Sequence, residues 1–174
     1  MSEGNEGLGV KMIHHYGIYG VVQSNDPRGP KLLCVNKSRG AYRHLLDLPG
    51  GTPHSNEPPH ETLSREIEEE SGIRILRFTY LVDVRFEVFG KGGDPEVQLI
   101  HDAKLYRILA YDDSREHDGF AVHEDVCGHV WVPVKTTRTD CSPLAQYAFR
   151  YLMGRKQKYR QKCSWSPESR IAFH

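Results

Sequence analysis

The sequence predicts an α+β protein, a mixed sheet covered by helices, on three observations. Runs of β-branched and aromatic residues recur along the chain, a helix with both ends marked interrupts them near residue 60, and an amphipathic helix follows them near residue 145. The length of 174 residues suits one domain with a core that needs no staple. With 23 basic and 23 acidic residues, no global field draws the chain to nucleic acid or a membrane. Cys34, Cys127, Cys141 and Cys163 include no C-x-x-C pair and read as free thiols of a reducing cytosol. No apolar run approaches membrane-spanning length, and the polar N-terminus lacks a signal peptide's apolar region. The expected location is therefore cytoplasmic.

Residues 1–13 read as a frayed N-terminus, 14–154 as the folded domain and 155–174 as a basic tail. Tyr16–Gln23 and Lys31–Asn36 flank a turn-rich stretch and predict a hairpin. His14 and His15 precede the first strand and are assigned no role. Lys37, Arg39 and Tyr42 belong to a polar loop whose cations either face solvent or meet substrate phosphates. Leu45–Leu48 is a short strand leading into Pro49-Gly50-Gly51. From Phe78 to Val88 apolar and polar residues alternate, predicting a long strand with one buried face, and Lys104–Tyr111 is its returning partner. Asp112–Asp125 is a charged loop, and His129–Val134 a further strand. Ser142-Pro143 starts a helix with a Leu144, Tyr147, Ala148, Tyr151, Leu152 stripe and a stop at Gly154. The five cations between Arg155 and Lys162 are expected to be solvated rather than to form a nucleic-acid arm. Trp165 and Phe173 are candidates for docking that tail, with a homodimer left open.

Pro59 to Ser71 reads as a helix, with proline in its first turn and Gly72 just past its end. Glu66, Glu69 and Glu70 fall within roughly 100° of one another on a 3.6-residue period. Leu63 and Ile67 form the apolar edge, and Glu68 points away. Like charges at i,i+4 destabilise an isolated helix by about 0.2–0.5 kcal/mol per pair. A divalent cation relieves that, and carboxylates suit Mg²⁺ or Mn²⁺ rather than Zn²⁺. A solvated acidic face is the plainer alternative.

Gly51, five residues, Glu57, seven residues, then Arg65-Glu66-Ile67-x-Glu69-Glu70-x-Gly72-Ile73 resembles the Nudix box at every fixed position. Nine such matches at one start point arise by chance on the order of once in a billion. The W-V-P run at Trp131 is also similar to a strand found in many Nudix proteins. The resemblance implies a Nudix fold, an α/β/α sandwich with the box as loop–helix–loop, and metal-dependent hydrolysis of a nucleoside diphosphate linked to another moiety. It implies metal ligands at Glu66, Glu69, Glu70 and the Gly50 carbonyl, with Glu57 as an outer acid and Arg65 orienting a carboxylate. The general base falls to Glu66, or to loop acids Glu124 and Asp125, with Glu116 behind them. Lys37, Arg39, Tyr42 and Gly51 are the substrate-binding candidates, and Tyr16 or Phe86 could also stack a base. Val88 and Phe89 stand where some subfamilies acting on ADP-ribose or dinucleoside polyphosphates carry Pro or Tyr, so neither mark appears. The expected partner is a small nucleotide rather than nucleic acid or a membrane. A non-catalytic nucleotide sensor and an RNA 5′-end pyrophosphohydrolase are the alternatives.

Overall fold

The computed structural model describes residues 10–24, 26–90, 94, 96–116, 122–123, 126–135, 140–166 and 170–173. In chain order these form β1 (Lys11–Val21), β2 (Gln23–Ser24), β3 (Lys31–Lys37), β4 (Leu46–Asp47), β5 (Gly50–Gly51) and α1 (Pro59–Ser71). Then come β6 (Arg74–Phe89), β7 (Val97–Asp112), β8 (Val122–His123), β9 (Val126–Pro133), α2 (Pro143–Leu152), β10 (Arg160–Ser166) and β11 (Arg170–Phe173). One sheet runs β11-β10-β6-β7-β1-β5, and the second runs β2-β3-β9-β8 with β4 on β3. The first sheet is mixed: β1 is parallel to β7 and β10 to β6, while its other pairs are antiparallel.

Helix α1 has the predicted bounds. Pro59 occupies a position whose N–H would have no partner, and Gly72 closes the helix in the left-handed region, its N–H donating to the Glu68 carbonyl at 2.7 Å. Leu63 and Ile67 are fully buried against Ile18, Val22, Leu33, Ile73 and Ile108. Each such side chain contributes about 1.5–3 kcal/mol, which seats the acid-rich helix firmly. A larger cluster joins the two sheets to α2 through Val84, Phe86, Leu105, Leu32, Leu144 and Ala148. Ser142 caps α2 by accepting the Ala145 N–H at 3.1 Å.

Three expectations are corrected. The first long strand does not pair with Lys31–Lys37. Of the predicted hairpin, Gln23–Ser24 pairs with Lys31 and Leu32 and the Val22 carbonyl accepts the Leu33 N–H at 2.9 Å, because the chain leaves one sheet at Val22 and enters the other. The Phe78–Val88 alternation does not give one continuous buried face. Register shifts between Tyr80 and Val82 insert an extra residue, so Val84, Phe86 and Val88 are buried while Phe78 and Tyr80 are exposed. The basic segment after Gly154 is not wholly a solvated tail, since Arg160–Ser164 pairs in parallel with Arg85–Phe89. Its cations hid a strand, because alternate residues need bury only one face: Cys163 is buried while its neighbour Lys162 is exposed.

His101 is fully buried between two tyrosines, its Nδ1 3.0 Å from the Tyr42 hydroxyl and its Nε2 3.2 Å from that of Tyr19. Burial, and then the nearby His15, hold its pKa down to about 3. The unfolded chain takes up this proton near the ordinary histidine value of about 6.5, and the folded chain does not. Folding stability should therefore fall as the pH drops below about 6.5, by up to tenfold in the folding constant per pH unit from this group. Denaturation midpoints across pH 7 to 5 check this, with His101→Asn flattening the slope.

Candidate active site

The acids of α1 turn toward the main chain of β5. Glu70 is buried, and its Oε2 accepts the Gly50 N–H at 2.9 Å. The Glu66 carboxyl group lies against Gly51, where a Cβ would sit 2.6 Å from its Cδ and Oε1. Gly50 adopts φ +140°, and a Cβ there would lie 2.2 Å from the Ile18 carbonyl oxygen. The backbone contact and positive φ require glycine at position 50, while at 51 the bare backbone makes room for the Glu66 carboxylate. Glu69 is the most open of the three, and Glu68 faces solvent as expected.

Arg65 ties the acids together. Its Nε and Nη2 donate to the two Glu57 oxygens at 2.8 and 3.0 Å. Its Nη1 reaches Glu66 Oε1 at 2.9 Å and Glu69 Oε2 at 3.1 Å. Glu57 also accepts the His54 N–H at 2.9 Å and the Thr62 hydroxyl at 2.8 Å. The Arg65 guanidinium foremost, then the His54 N–H, hold the Glu57 carboxyl well below the usual range, and Glu57 in turn raises the Arg65 pKa. An ammonium cannot span three carboxylates with one planar fork. Arg65→Lys should therefore lower kcat/KM about 10–100-fold and raise the Mg²⁺ concentration needed for half-maximal rate, both read from steady-state kinetics.

Among the described residues no three His, Cys, Asp or Glu side chains already form a cage for a metal ion. Their contacts give the reason: Arg65 draws Glu57, Glu66 and Glu69, while the Gly50 N–H holds Glu70. The donor set nevertheless fits a hard divalent cation. Three anionic oxygen donors leave one helix face, and the missing Cβ of Gly51 leaves room at the Glu66 carboxylate.

A cavity of about 250 Å³ lies close by, and Lys37, Arg39 and Tyr42 all line it with His15, Tyr19 and Asp47. Tyr19 links the two places, since it pairs with Gly50 across β1 and β5 while its hydroxyl meets His15 and His101. Tyr42 is a wall of this cavity, buried and bonded to His101. Phe86 is wholly in the core, which removes it as a stacking surface, and Tyr16 is exposed on a different cavity. The sequence reading passed over His15, Tyr19 and Asp47. Alternation along β1 was the available signal, because positions 15 and 19 share one face.

Of the loop acids, Glu124 and Asp125 lie outside the described residues. Glu116 Oε1 accepts the Trp131 Nε1–H at 2.7 Å and lies 2.9 Å from His129 Nε2, so it is fastened to β9.

The model of the NUDIX domain matches residues 14–151, and the chain belongs to the Nudix hydrolase family. Hydrolases of this family generally use divalent metal cations. The chain is similar to the MutT NUDIX hydrolase of Burkholderia pseudomallei, with a TM-score of 0.61 and 21% identity over 79% of this chain and 97% of that one. It is also similar to the MutT protein of Bacillus halodurans, with a TM-score of 0.63 and 13% identity over 92% and 96%. The NUDIX domain of Shewanella oneidensis NrtR, solved with ADP ribose, follows at 0.53 and 15% over 82% and 88%. At these identities the likeness is one of fold. An ADP-ribose pyrophosphatase of Mycobacterium tuberculosis (strain ATCC 25618 / H37Rv) is 33% identical over 76 residues, 42% of this chain. That match spans only 36% of the relative's own length. Among the described residues, no helix is long and apolar enough to cross a membrane.

Proposed function

We propose that the chain is a divalent-metal-dependent pyrophosphohydrolase that cleaves a nucleoside diphosphate linked to another moiety, by attack of water at phosphorus. The observation that carries this reading is the meeting of α1's acids with the Gly50–Gly51 main chain, beside a cavity lined by Lys37 and Arg39. Mg²⁺ or Mn²⁺ is assigned to Glu66, Glu69, Glu70 and the Gly50 carbonyl, with Glu57 and Arg65 holding the acids in place. When bound, the cation offsets charge developing on the phosphate oxygens and makes water more acidic. Lys37 and Arg39 bind the diphosphate, and the bare backbone of Gly51 lets it come close. Tyr42 shapes the cavity wall rather than offering an open ring. Glu66 takes the proton of the attacking water at a carboxylate oxygen, with Glu124 and Asp125 as the alternatives. The free thiols suit a cytoplasmic setting.

ADP-ribose is the first substrate to try, since the mycobacterial relative is named for it and the Shewanella domain was solved with it. A panel of ADP-ribose, dinucleoside polyphosphates and nucleoside triphosphates with Mg²⁺, read by ³¹P NMR of the products, tests the reading. Release of a nucleoside monophosphate from one of them is the expected result. Binding of nucleotide with no turnover in Mg²⁺ or Mn²⁺ would instead establish a sensing module.

A further inference from the structure

Two adjoining cavities along β6 are not used by the proposed reaction. The larger, about 690 Å³, lies where β6 and α2 meet the segment leading into β10. Tyr80, Tyr147, Tyr151 and Tyr159 line it together with Arg155 and Lys156. The second, about 460 Å³, shares Asp83 and Tyr159 with the first and runs across β6 and β7 to Tyr16 on β1, adding Lys104 and Arg160. Tyr80, Tyr159 and Tyr16 are 52, 66 and 45% exposed. Tyr80 carries the Lys104 Nζ 5.0 Å from its ring centroid and meets Tyr106 edge-on, so Tyr159 and Tyr16 are the more open rings.

The charges along the path are uneven. Its two acids already have cations: Asp83 pairs with Lys104 at 2.9 Å, and Asp102 with Arg85 at 2.6 Å. Of the five cations between Arg155 and Lys162, Arg155, Lys156 and Arg160 line the path, while Lys162 lies 3.8 Å from Glu87.

We propose that this groove binds a short single-stranded nucleic acid, its bases stacking on Tyr80, Tyr159 and Tyr16 and its phosphates meeting Arg155, Lys156 and Arg160. Exposed rings interleaved with cations form the pattern that binds single strands without reading sequence, since every base offers a flat face. An acidic peptide would use the cations but make no use of the open rings of Tyr159 and Tyr16. One nucleotide would fill only one of the two joined cavities. The groove's Tyr16 end lies two residues along β1 from Ile18, which pairs with Gly51 beside Glu66. The strand therefore reaches the neighbourhood of α1 without needing the α1 acids for binding.

The test is fluorescence anisotropy of a labelled eight-nucleotide oligoadenylate with the full chain in EDTA, so that it stands apart from any hydrolysis. Saturable binding is expected, with log K falling against log salt at a slope of about −2 for three phosphate contacts. Tyr159→Ala should weaken binding about tenfold and Tyr159→Phe should restore it. The Arg155→Ala/Lys156→Ala double variant should flatten the slope by about 1.4. Unchanged affinity in folded variants overturns the proposal. So does equal competition by AMP, which would mark a mononucleotide pocket, or by polyglutamate, which would mark a general anion surface.

Discussion

Replacing Glu70 by Gln should lower metal-dependent kcat/KM at least 10³-fold, about 4 kcal/mol of transition-state stabilisation, while the protein stays folded. Glutamine keeps the volume of the buried side chain, and its carbonyl oxygen still accepts the Gly50 N–H that Glu70 holds at 2.9 Å. What it removes is a negative charge and a strong oxygen ligand at the meeting point of α1 and β5. Glu69→Gln is the companion, since Glu69 is more open and touches Arg65 through a single oxygen. Its contribution to the fold is smaller still, so activity lost there with the melting curve unchanged reports on the site, through metal holding and the Arg65 pair. Kinetics at saturating Mg²⁺, paired with melting curves, separate the two effects. Full activity in either variant would refute the ligand assignment.

The second large effect is on the fold. Gly50→Ala should destabilise the protein by about 3 kcal/mol, lowering the melting temperature by roughly 6–12 °C for a chain of this size. The φ of +140° is one that side-chain-bearing residues rarely adopt, and the added Cβ would lie 2.2 Å from the Ile18 carbonyl and 2.7 Å from the Tyr19 Cα. Both obstacles are backbone. β1 cannot withdraw, because it pairs with β7 from Lys11 to Val21. Displacement of β5 would also remove the Gly50 N–H from Glu70, so activity should fall with stability. Thermal unfolding followed by circular dichroism checks the size of the loss.

The box was readable because its constraints are local. Helix α1, its apolar edge and the face shared by Glu66, Glu69 and Glu70 all follow from spacing within 13 residues. Contacts made over long sequence distances were not readable. The Tyr42–His101 hydrogen bond joins residues 59 apart, and nothing near Tyr42 marks it as a cavity wall. The division of the chain between two sheets at Val22 was equally hidden, since a continuous apolar run gives no sign that its pairing partner changes. The bulge near Leu81 left the alternation intact while reversing the faces. The last strands were masked by their own charge: β10 opens Arg-Gln-Lys and yet adds to the sheet beside β6.

Calorimetric titration of Mg²⁺ into the wild-type chain and Glu70→Gln, with a non-hydrolysable nucleotide present, reaches the central point most directly. Saturable binding to the wild-type chain, weakened at least about tenfold in the variant, is the result these carboxylates predict. Equal binding by the two proteins, or none by either, would contradict a metal held by the acids of α1.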